Sequence, residues 1–136
     1  IAGRTSTYSK GMFLDHPGYP QRLARSFHAY VRDDEGKAYC DWWNCLGANL
    51  LGYNHPAVND AIRRQLSDGI VFSLPHHLEE ETAALLCNMA GTEQLRWCKN
   101  GSDATEAAVR LARKVTGKWK ILTVRYAYHG FHSDLV

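Results

Sequence analysis

Several features that define other protein classes are missing from this sequence of 136 residues. No apolar run approaches the roughly 20 residues of a membrane-spanning helix, and the polar opening segment IAGRTSTYSKG has no signal-peptide character. The 16 basic and 14 acidic residues of the whole sequence are interleaved, without the Lys/Arg block that is typical of nucleic-acid binding. We therefore expect a protein that binds neither nucleic acid nor a membrane.

The sequence also lacks the cysteine and histidine spacings of disulfide frameworks and zinc sites. None of its cysteines forms a CxxC pair, which favours reduced thiols and a cytoplasmic location. His76-His77 and His129-x-x-His132 are candidate metal ligands, but zinc sites usually add a second spaced pair, and none is present. We expect no metal site. The four cysteines are Cys40, Cys45, Cys87 and Cys98.

The chain begins with Ile1 and finishes with Leu135-Val136, so both ends are interpreted as cuts through a longer chain. Residues 1–26 have no clear periodicity and several Gly and Pro, which predicts an irregular arm. Aromatic-rich runs at 27–32 and 38–43 flank the turn Asp33-Asp34-Glu35-Gly36 and predict a β-hairpin. Its glycine stands where the turn requires a positive φ.

Two helices are predicted in the middle of the chain. The first begins at Pro56, a residue that the first helical turn accepts, and ends at Asp68-Gly69. The second carries Glu79 to Glu81 in its first turn, which the helix dipole favours, and stops at Gly91. Both present apolar residues at helical spacing on one face.

The last third of the chain is predicted to be a strand–helix–strand unit, so the fold class is α/β. Residues 95–99 and 119–124 have strand character, and the small-residue stripe between them predicts a helix that Gly117 ends. Asp103 followed by Glu106 is a helix-start signature. A parallel strand pair with a right-handed crossover is expected.

The turn Asn100-Gly101-Ser102 lies where the first of these strands passes into the helix. Free N–H groups and the helix dipole favour an anion there, Gly101 allows close approach, and Ser102 adds a hydroxyl donor. A phosphate cradle is one interpretation, and a plain capped turn is the other. Asp103 would repel an anion unless its carboxylate turns away to cap the helix.

The loop Tyr126-Ala127-Tyr128-His129-Gly130 follows the second predicted strand. Ligands of parallel α/β sheets bind at the carboxyl ends of strands, so this loop and the Ser102 turn are expected to face one crevice. An aromatic ring there can stack on a flat cofactor, although ordinary loop aromatics remain the alternative. The chain lacks both G-x-G-x-x-G and Gly-Lys-Ser/Thr, so an α/β interaction domain is the remaining rival.

Several motifs in collinear order resemble the class-III aminotransferase family. Residues 100–113 (NGSDATEAAVRLAR) resemble its NSGTEA…A.RLAR segment, and Thr116-Gly117-Lys118 and Tyr128-His129-Gly130 follow at the proper spacing. Residues 34–41 (DEGKAYCD) look like its D-x-x-G-x-x-Y-x-D hairpin, and 51–56 (LGYNHP) resemble its LG-H-x-HP turn. Within the family, the sequence looks most like glutamate-1-semialdehyde 2,1-aminomutases and related proteins of sugar pathways.

The resemblance implies the N-terminal part of a fold-type-I enzyme that uses pyridoxal 5'-phosphate (PLP), usually as a homodimer, on a small amino or keto substrate. Residues 1–55 would then be the arm and hairpin segment, and 56–136 the first, incomplete part of the PLP-binding large domain. The resemblance assigns Gly101 and Ser102 to the cofactor phosphate, Tyr128 to the pyridine ring with His129 beside it, and Thr7 and Leu46 to the substrate.

The sequence departs from the family pattern at several positions. Leu46 replaces a frequent aromatic residue, Ser102 a threonine, and Tyr53 the histidine of the LGH turn. None of the six lysines matches the motif of the Schiff-base lysine, so no catalytic residue is expected in this chain. The parent protein is expected to transfer an amino group as an aminotransferase or aminomutase, and the alternative is a truncated, non-catalytic or partner-binding fragment.

Overall fold

The computed structural model describes residues 4–12 and 14–133, which form two compact units that divide between Phe72 and Ser73. The first unit contains α1 (Tyr8–Gly11), β1 (Leu23–Phe27), β2 (Tyr30–Asp33), β3 (Ala38–Cys40) and α2 (Pro56–Asp68). The second unit contains α3 (His77–Ala90) and α4 (Gly101–Thr116). The domain division expected at 55/56 refers to a longer protein and stays a prediction.

The sheet of the first unit is antiparallel, with strand order β1-β2-β3. The predicted hairpin is confirmed as β2 and β3. The arm at 1–26 was expected to be irregular, and this prediction is wrong at 8–11, which form α1, and at 23–26, which belong to β1. The sequence LARSF of β1 has no alternation of apolar and polar residues. Its extended form comes from backbone pairing with β2, in which Ser26 lies opposite Val31 and Phe27 opposite Tyr30.

Asp33 ends β2, and its carboxylate holds the hairpin turn together. Its oxygens accept hydrogen bonds from the N–H groups of Glu35 (3.1 Å) and Lys37 (2.8 Å) and from the Tyr39 hydroxyl (2.9 Å). Burial by itself would raise the pKa of Asp33, but these hydrogen bonds outweigh it and lower the pKa below its ordinary value. The residue that begins the D-x-x-G-x-x-Y-x-D motif is therefore Asp33, and not the exposed Asp34.

The LGYNHP turn crosses the tip of the β1–β2 connection. Tyr53 exchanges two backbone hydrogen bonds with His28, of 3.0 and 2.8 Å. Gly52 has a φ of +81°, and a Cβ there would lie 3.2 Å from the His28 carbonyl oxygen, so only glycine fits without strain. The Tyr53 hydroxyl donates to Asp41, and this bond, with a contact to Cys45, raises the pKa of Tyr53. Tyr53, which stands where the family has a histidine, thus connects the LGYNHP turn to the hairpin.

The predicted helix ends are confirmed. Pro56 opens α2, and Gly69 caps its C-terminus at a φ of +108°. The α3 helix stops at Gly91 and α4 at Gly117, both in the left-handed conformation that glycine adopts without cost. Local sequence signals therefore fix these four boundaries.

The two predicted strands of the last third do not form in the described residues. Neither 95–99 nor 119–124 is assigned to a strand, although the helix between them is present. A parallel strand needs a neighbouring strand for its backbone hydrogen bonds, and these two segments do not pair with each other. The overall class remains α/β, with a small antiparallel sheet and helices.

Most apolar side chains of the described residues are exposed. Val31 and Val109 are the buried apolar residues among them, whereas the apolar face of α2 (Val58, Ile62 and Leu66) is 41–56% exposed. Units of about 70 residues or fewer bury a smaller fraction of their surface than larger domains do, so the exposed apolar stripes of these helices are available for further packing. Within the described ranges, none of the helices has the length and apolar character needed to cross a membrane.

Candidate functional site

The first turn of α4 presents backbone N–H groups with no partner in the described part of the chain. Asn100 is the N-cap, and its Oδ1 accepts from the N–H of Asp103 at 3.0 Å, while its carbonyl accepts from Ala104. The helix therefore begins at Gly101, three residues earlier than a capping box at Asp103 and Glu106 implies. The N–H groups of Gly101 and Ser102 remain available, at the positive end of the helix dipole.

The carboxylate of Asp103 is engaged within the turn. Its Oδ2 accepts from the side-chain amide of Asn100 at 3.1 Å. This bond holds the carboxylate on the capping residue, although Asp103 is not itself the cap. The amide of Asn100 thus partly offsets the charge that would otherwise repel an anion at Ser102.

Residues 130–132 lie directly against the start of α4. The N–H of Phe131 donates to Ser102 Oγ at 2.9 Å. Gly130 is buried with a φ of +109°, and a Cβ there would lie 2.6 Å from Thr105 Oγ1 and 3.2 Å from Ser102 Cα. The loop reaches the helix because residue 130 has no side chain. Since the Phe131 N–H occupies a lone pair of the Ser102 hydroxyl, the hydroxyl proton is left to donate to a ligand.

The two tyrosines of the loop differ in backbone conformation. The N–H of Ala127 donates to the Val124 carbonyl at 3.1 Å, and Tyr126, within this turn, has a φ of +65°. The turn interrupts any strand-like alternation, so Tyr126 and Tyr128 are not equivalent positions. Tyr128 is 81% exposed, which leaves its ring free to contact a ligand.

Two histidines of the same loop have a buried ring nitrogen without a hydrogen-bond partner among the described residues. These nitrogens are Nε2 of His129 and Nδ1 of His132. The other ring nitrogen of His132 lies 3.2 Å from Thr105 Oγ1. In the sequence, His132 is a candidate only as a metal ligand, and Thr105 is not a candidate site residue. The signals that could have identified them are the H-x-x-H spacing of His129 and His132 and the threonine one turn into the helix.

Thr7 and Leu46, which the resemblance assigns to the substrate, lie in the other unit. Thr7 is the exposed N-cap residue of α1, and Leu46 is 67% exposed with a φ of +60°. Leu46 belongs to a run of left-handed residues, Asn44, Cys45, Leu46 and Gly47. The substrate assignments of Thr7 and Leu46 stay predictions.

The arrangement at the start of α4 is suited to bind a small anion. Two free N–H groups, an oriented serine hydroxyl and the helix dipole all provide partial positive charge at one point. No group of three or more potential metal ligands occurs among the residues that the structure describes. The four cysteines are free thiols.

Comparison with known proteins places the chain among PLP enzymes. The sequence model of the family "Aminotransferase class-III" matches residues 16–135. A curated glutamate-1-semialdehyde 2,1-aminomutase of Deinococcus radiodurans is 40% identical over 117 residues, or 86% of this chain. The match spans only 26% of that relative's length.

Solved structures are similar over the same part of the chain. An omega-transaminase of Sphaerobacter thermophilus superposes with a TM-score of 0.80 at 32% identity, over 88% of this chain and 27% of that one. The FumI protein of Sphingopyxis sp. MTA144, solved as its PLP internal aldimine form, gives 0.82 at 34% identity, over 89% and 30% respectively. Identity above 30% together with such superposition indicates shared ancestry as well as a shared fold.

Proposed function

Because the chain belongs to the class-III aminotransferase family, we propose that the start of α4 binds the phosphate of pyridoxal 5'-phosphate. The observation that carries the proposal is the hydrogen bond from the Phe131 N–H to Ser102 Oγ, 2.9 Å long. It fixes the hydroxyl beside the free N–H groups of Gly101 and Ser102. Three donors then converge on one anion, without a basic side chain in the described turn.

The residues present fit the phosphate group of the cofactor. A phosphate ester accepts several hydrogen bonds, and N–H groups at a helix N-terminus bind such anions through both hydrogen bonding and the dipole. Gly101 has no atoms within 4 Å of the position of a Cβ, so a ligand can approach the backbone there. The Asn100 amide holds the Asp103 carboxylate and partly offsets its charge.

The exposed ring of Tyr128 is proposed to cover the pyridine ring of the cofactor, with His129 beside it. An offset or edge contact between aromatic rings contributes about 0.5–1.5 kcal/mol beyond buried area. When bound, PLP serves as an electron sink that allows the α-proton of an amine substrate to be removed. In this chain the proposed residues bind and orient the cofactor, and none of them moves a proton.

The reaction proposed for the whole protein is amino-group transfer on a small amino, keto or semialdehyde substrate. Aminomutase and transaminase relatives both resemble this chain, which supports the general reaction class. The chain spans about a quarter of these relatives, and none of its six lysines matches the family's Schiff-base motif. We therefore assign cofactor binding to Gly101, Ser102, Tyr128 and His129. The covalent attachment of the cofactor is assigned to a lysine that is not one of these six. A homodimer in the cytoplasm remains the expected context.

Replacing the Ser102 hydroxyl tests the proposal. In the full-length protein, Ser102→Ala should weaken PLP binding about tenfold or more, because one charge-assisted hydrogen bond is worth about 1.5–3 kcal/mol. At saturating PLP, turnover should change little. Ser67→Ala, which removes a hydroxyl bonded to the Arg63 carbonyl on α2, is the matched control.

Titration of the cofactor absorbance band measures the affinity of each variant. Equal affinity in wild type and Ser102→Ala would remove Ser102 from the site. Absence of PLP binding by the wild-type protein would favour a non-catalytic, partner-binding protein instead.

A further inference from the structure

Thr105 connects the first turn of α4 to the loop that covers it. Its Oγ1 lies 3.1 Å from the carbonyl oxygen of Gly101, 3.0 Å from that of Ser102, and 3.2 Å from Nε2 of His132. Thr105 lies one helical turn beyond the proposed phosphate donors and offers none of its own to the anion. Its hydroxyl joins two segments that are 27 residues apart in the chain.

The surroundings of Thr105 determine the direction of these hydrogen bonds. The Gly101 and Ser102 carbonyls can only accept, so the single Thr105 proton is directed to them, shared between both oxygens. If that proton pointed to His132 instead, the Thr105 oxygen would face two other oxygens at about 3 Å without a proton between them. Nε2 of His132 therefore donates, and Thr105 Oγ1 accepts.

The other ring nitrogen of His132 agrees with this assignment. Nδ1 is buried and has no partner among the described residues. A buried N–H without an acceptor costs more than a buried lone pair without a donor, so we place the ring N–H on Nε2. The bonds then form one directed chain, from the His132 ring to the Thr105 hydroxyl and on to the Gly101 carbonyl.

The Gly101 carbonyl shares a rigid peptide plane with the N–H of Ser102, which is one of the proposed phosphate donors. Fixing the carbonyl fixes the direction of that N–H, because the plane turns as one body. A hydrogen bond accepted by the carbonyl also polarises the N–H on the same peptide. We propose that Thr105 and His132 are positioning residues, whose hydrogen-bond chain aims the Ser102 N–H at the bound anion.

This inference rests on the proposed function, since it assigns the orienting device of the same phosphate site. Gly130 makes the device possible. A Cβ at residue 130 would lie 2.6 Å from Thr105 Oγ1 and would displace either the hydroxyl or the loop that carries His132. Thr105 and His132 touch neither the reacting carbon nor, in this proposal, the phosphate itself.

Thr105→Val and Thr105→Ser in the full-length protein separate orientation from packing. Valine keeps the shape and removes the hydroxyl, whereas serine keeps the hydroxyl. Thr105→Val should weaken PLP binding about three- to tenfold, the loss expected from one neutral hydrogen bond, and should shift the ³¹P resonance of the bound phosphate. Thr105→Ser should restore both.

Thr116→Val is the matched control. Thr116 donates to the Ala112 carbonyl at 2.7 Å, the same helical back-bond at the other end of α4. Its loss should leave PLP affinity and the ³¹P resonance unchanged. His132→Leu and His132→Gln form a second pair, because glutamine retains an N–H donor and leucine does not. This pair tests the proposal even if Thr105→Val fails to fold.

The outcomes separate this inference from the proposed function. If wild-type protein binds PLP and Ser102→Ala weakens binding, but Thr105→Val and His132→Leu bind like wild type with an unshifted ³¹P resonance, the positioning assignment is wrong and the phosphate site stands. If the wild-type protein does not bind PLP, the phosphate site itself is wrong. Equal losses in Thr116→Val and Thr105→Val would show a general effect on the helix and would also overturn the assignment.

Discussion

Gly130 is buried against the first turn of α4, and its replacement by alanine should open the proposed phosphate site. The new Cβ would lie 2.6 Å from Thr105 Oγ1 and 3.2 Å from Ser102 Cα, both closer than ordinary contact. The second of these atoms belongs to the helix backbone and cannot rotate away. The φ of +109° adds strain for any residue with a side chain. The loop must therefore move.

Movement of the loop sets the magnitude of the effect. It would break the bond from Phe131 to Ser102 and the contact between Thr105 and His132. Two neutral hydrogen bonds are together worth about 1–3 kcal/mol. Part of this loss should appear as a lower melting temperature. We expect the rest to weaken PLP binding about tenfold, because the Ser102 hydroxyl is no longer held in its donating orientation.

Gly117→Ala is the control for the cost of positive φ alone. Gly117 ends the same helix at a φ of +68°, and a Cβ there would meet nothing within 4 Å. This variant should lose about 1–2 kcal/mol of stability, the cost of a left-handed conformation for a residue with a Cβ, without any change in PLP affinity. Thermal melts and cofactor titrations of both variants are the assay. Wild-type affinity in Gly130→Ala, or an equal loss of affinity in Gly117→Ala, would refute the proposed packing of the loop on the site.

Three further predictions concern the loop tyrosines, the hairpin and the whole chain. Tyr128→Ala should shift the cofactor absorbance band and modestly weaken binding, whereas Tyr126→Ala should do neither, and equal effects would place the cofactor against the wrong ring. Asp33→Asn should lower the melting temperature at neutral pH, and Asp34→Asn should not. Because the pKa of Asp33 is lowered in the folded state, the stabilisation by Asp33 is complete above the ordinary pKa of 3.8 and is lost as the pH falls below it. A difference in melting temperature between wild type and Asp33→Asn that stays constant down to pH 2 would contradict the assignment. The 136-residue chain produced alone should be unstable or self-associated, since most of its large apolar side chains are exposed, and sedimentation of a compact, cooperatively melting monomer would be the contrary result.

Helices α2, α3 and α4 could be predicted from sequence because their signals are local, whereas the short α1 in the arm was not predicted. Pro56 at the start of α2 and glycines directly after α2, α3 and α4 act through their own backbone preferences. Strands depend on a partner that the local sequence does not specify. For this reason β1 was missed, and the segments 95–99 and 119–124 were expected to be strands although no ladder forms there.

The motif alignment also placed one important residue incorrectly. Asp33 and Asp34 are adjacent and chemically identical, and the hairpin pattern was aligned on Asp34. The spacing of the pattern distinguishes them, because Gly36 and Tyr39 lie three and six residues after Asp33. The folded turn agrees, since the Asp33 carboxylate accepts hydrogen bonds from Lys37 and Tyr39, whereas Asp34 is exposed. One residue of register changes which face of a strand a side chain occupies.

The sequence by itself determined the family, the helix that ends at Gly117, and the serine that offers a hydroxyl near the start of this helix. Family motifs and helix caps depend on neighbouring residues, so they are visible in one dimension. The orientation of that hydroxyl was decided only by the tertiary structure, because its partner Phe131 is 29 residues away. Thr105 and His132 became part of the site for the same reason, since their contact exists only after a glycine allows the loop to pack against the helix.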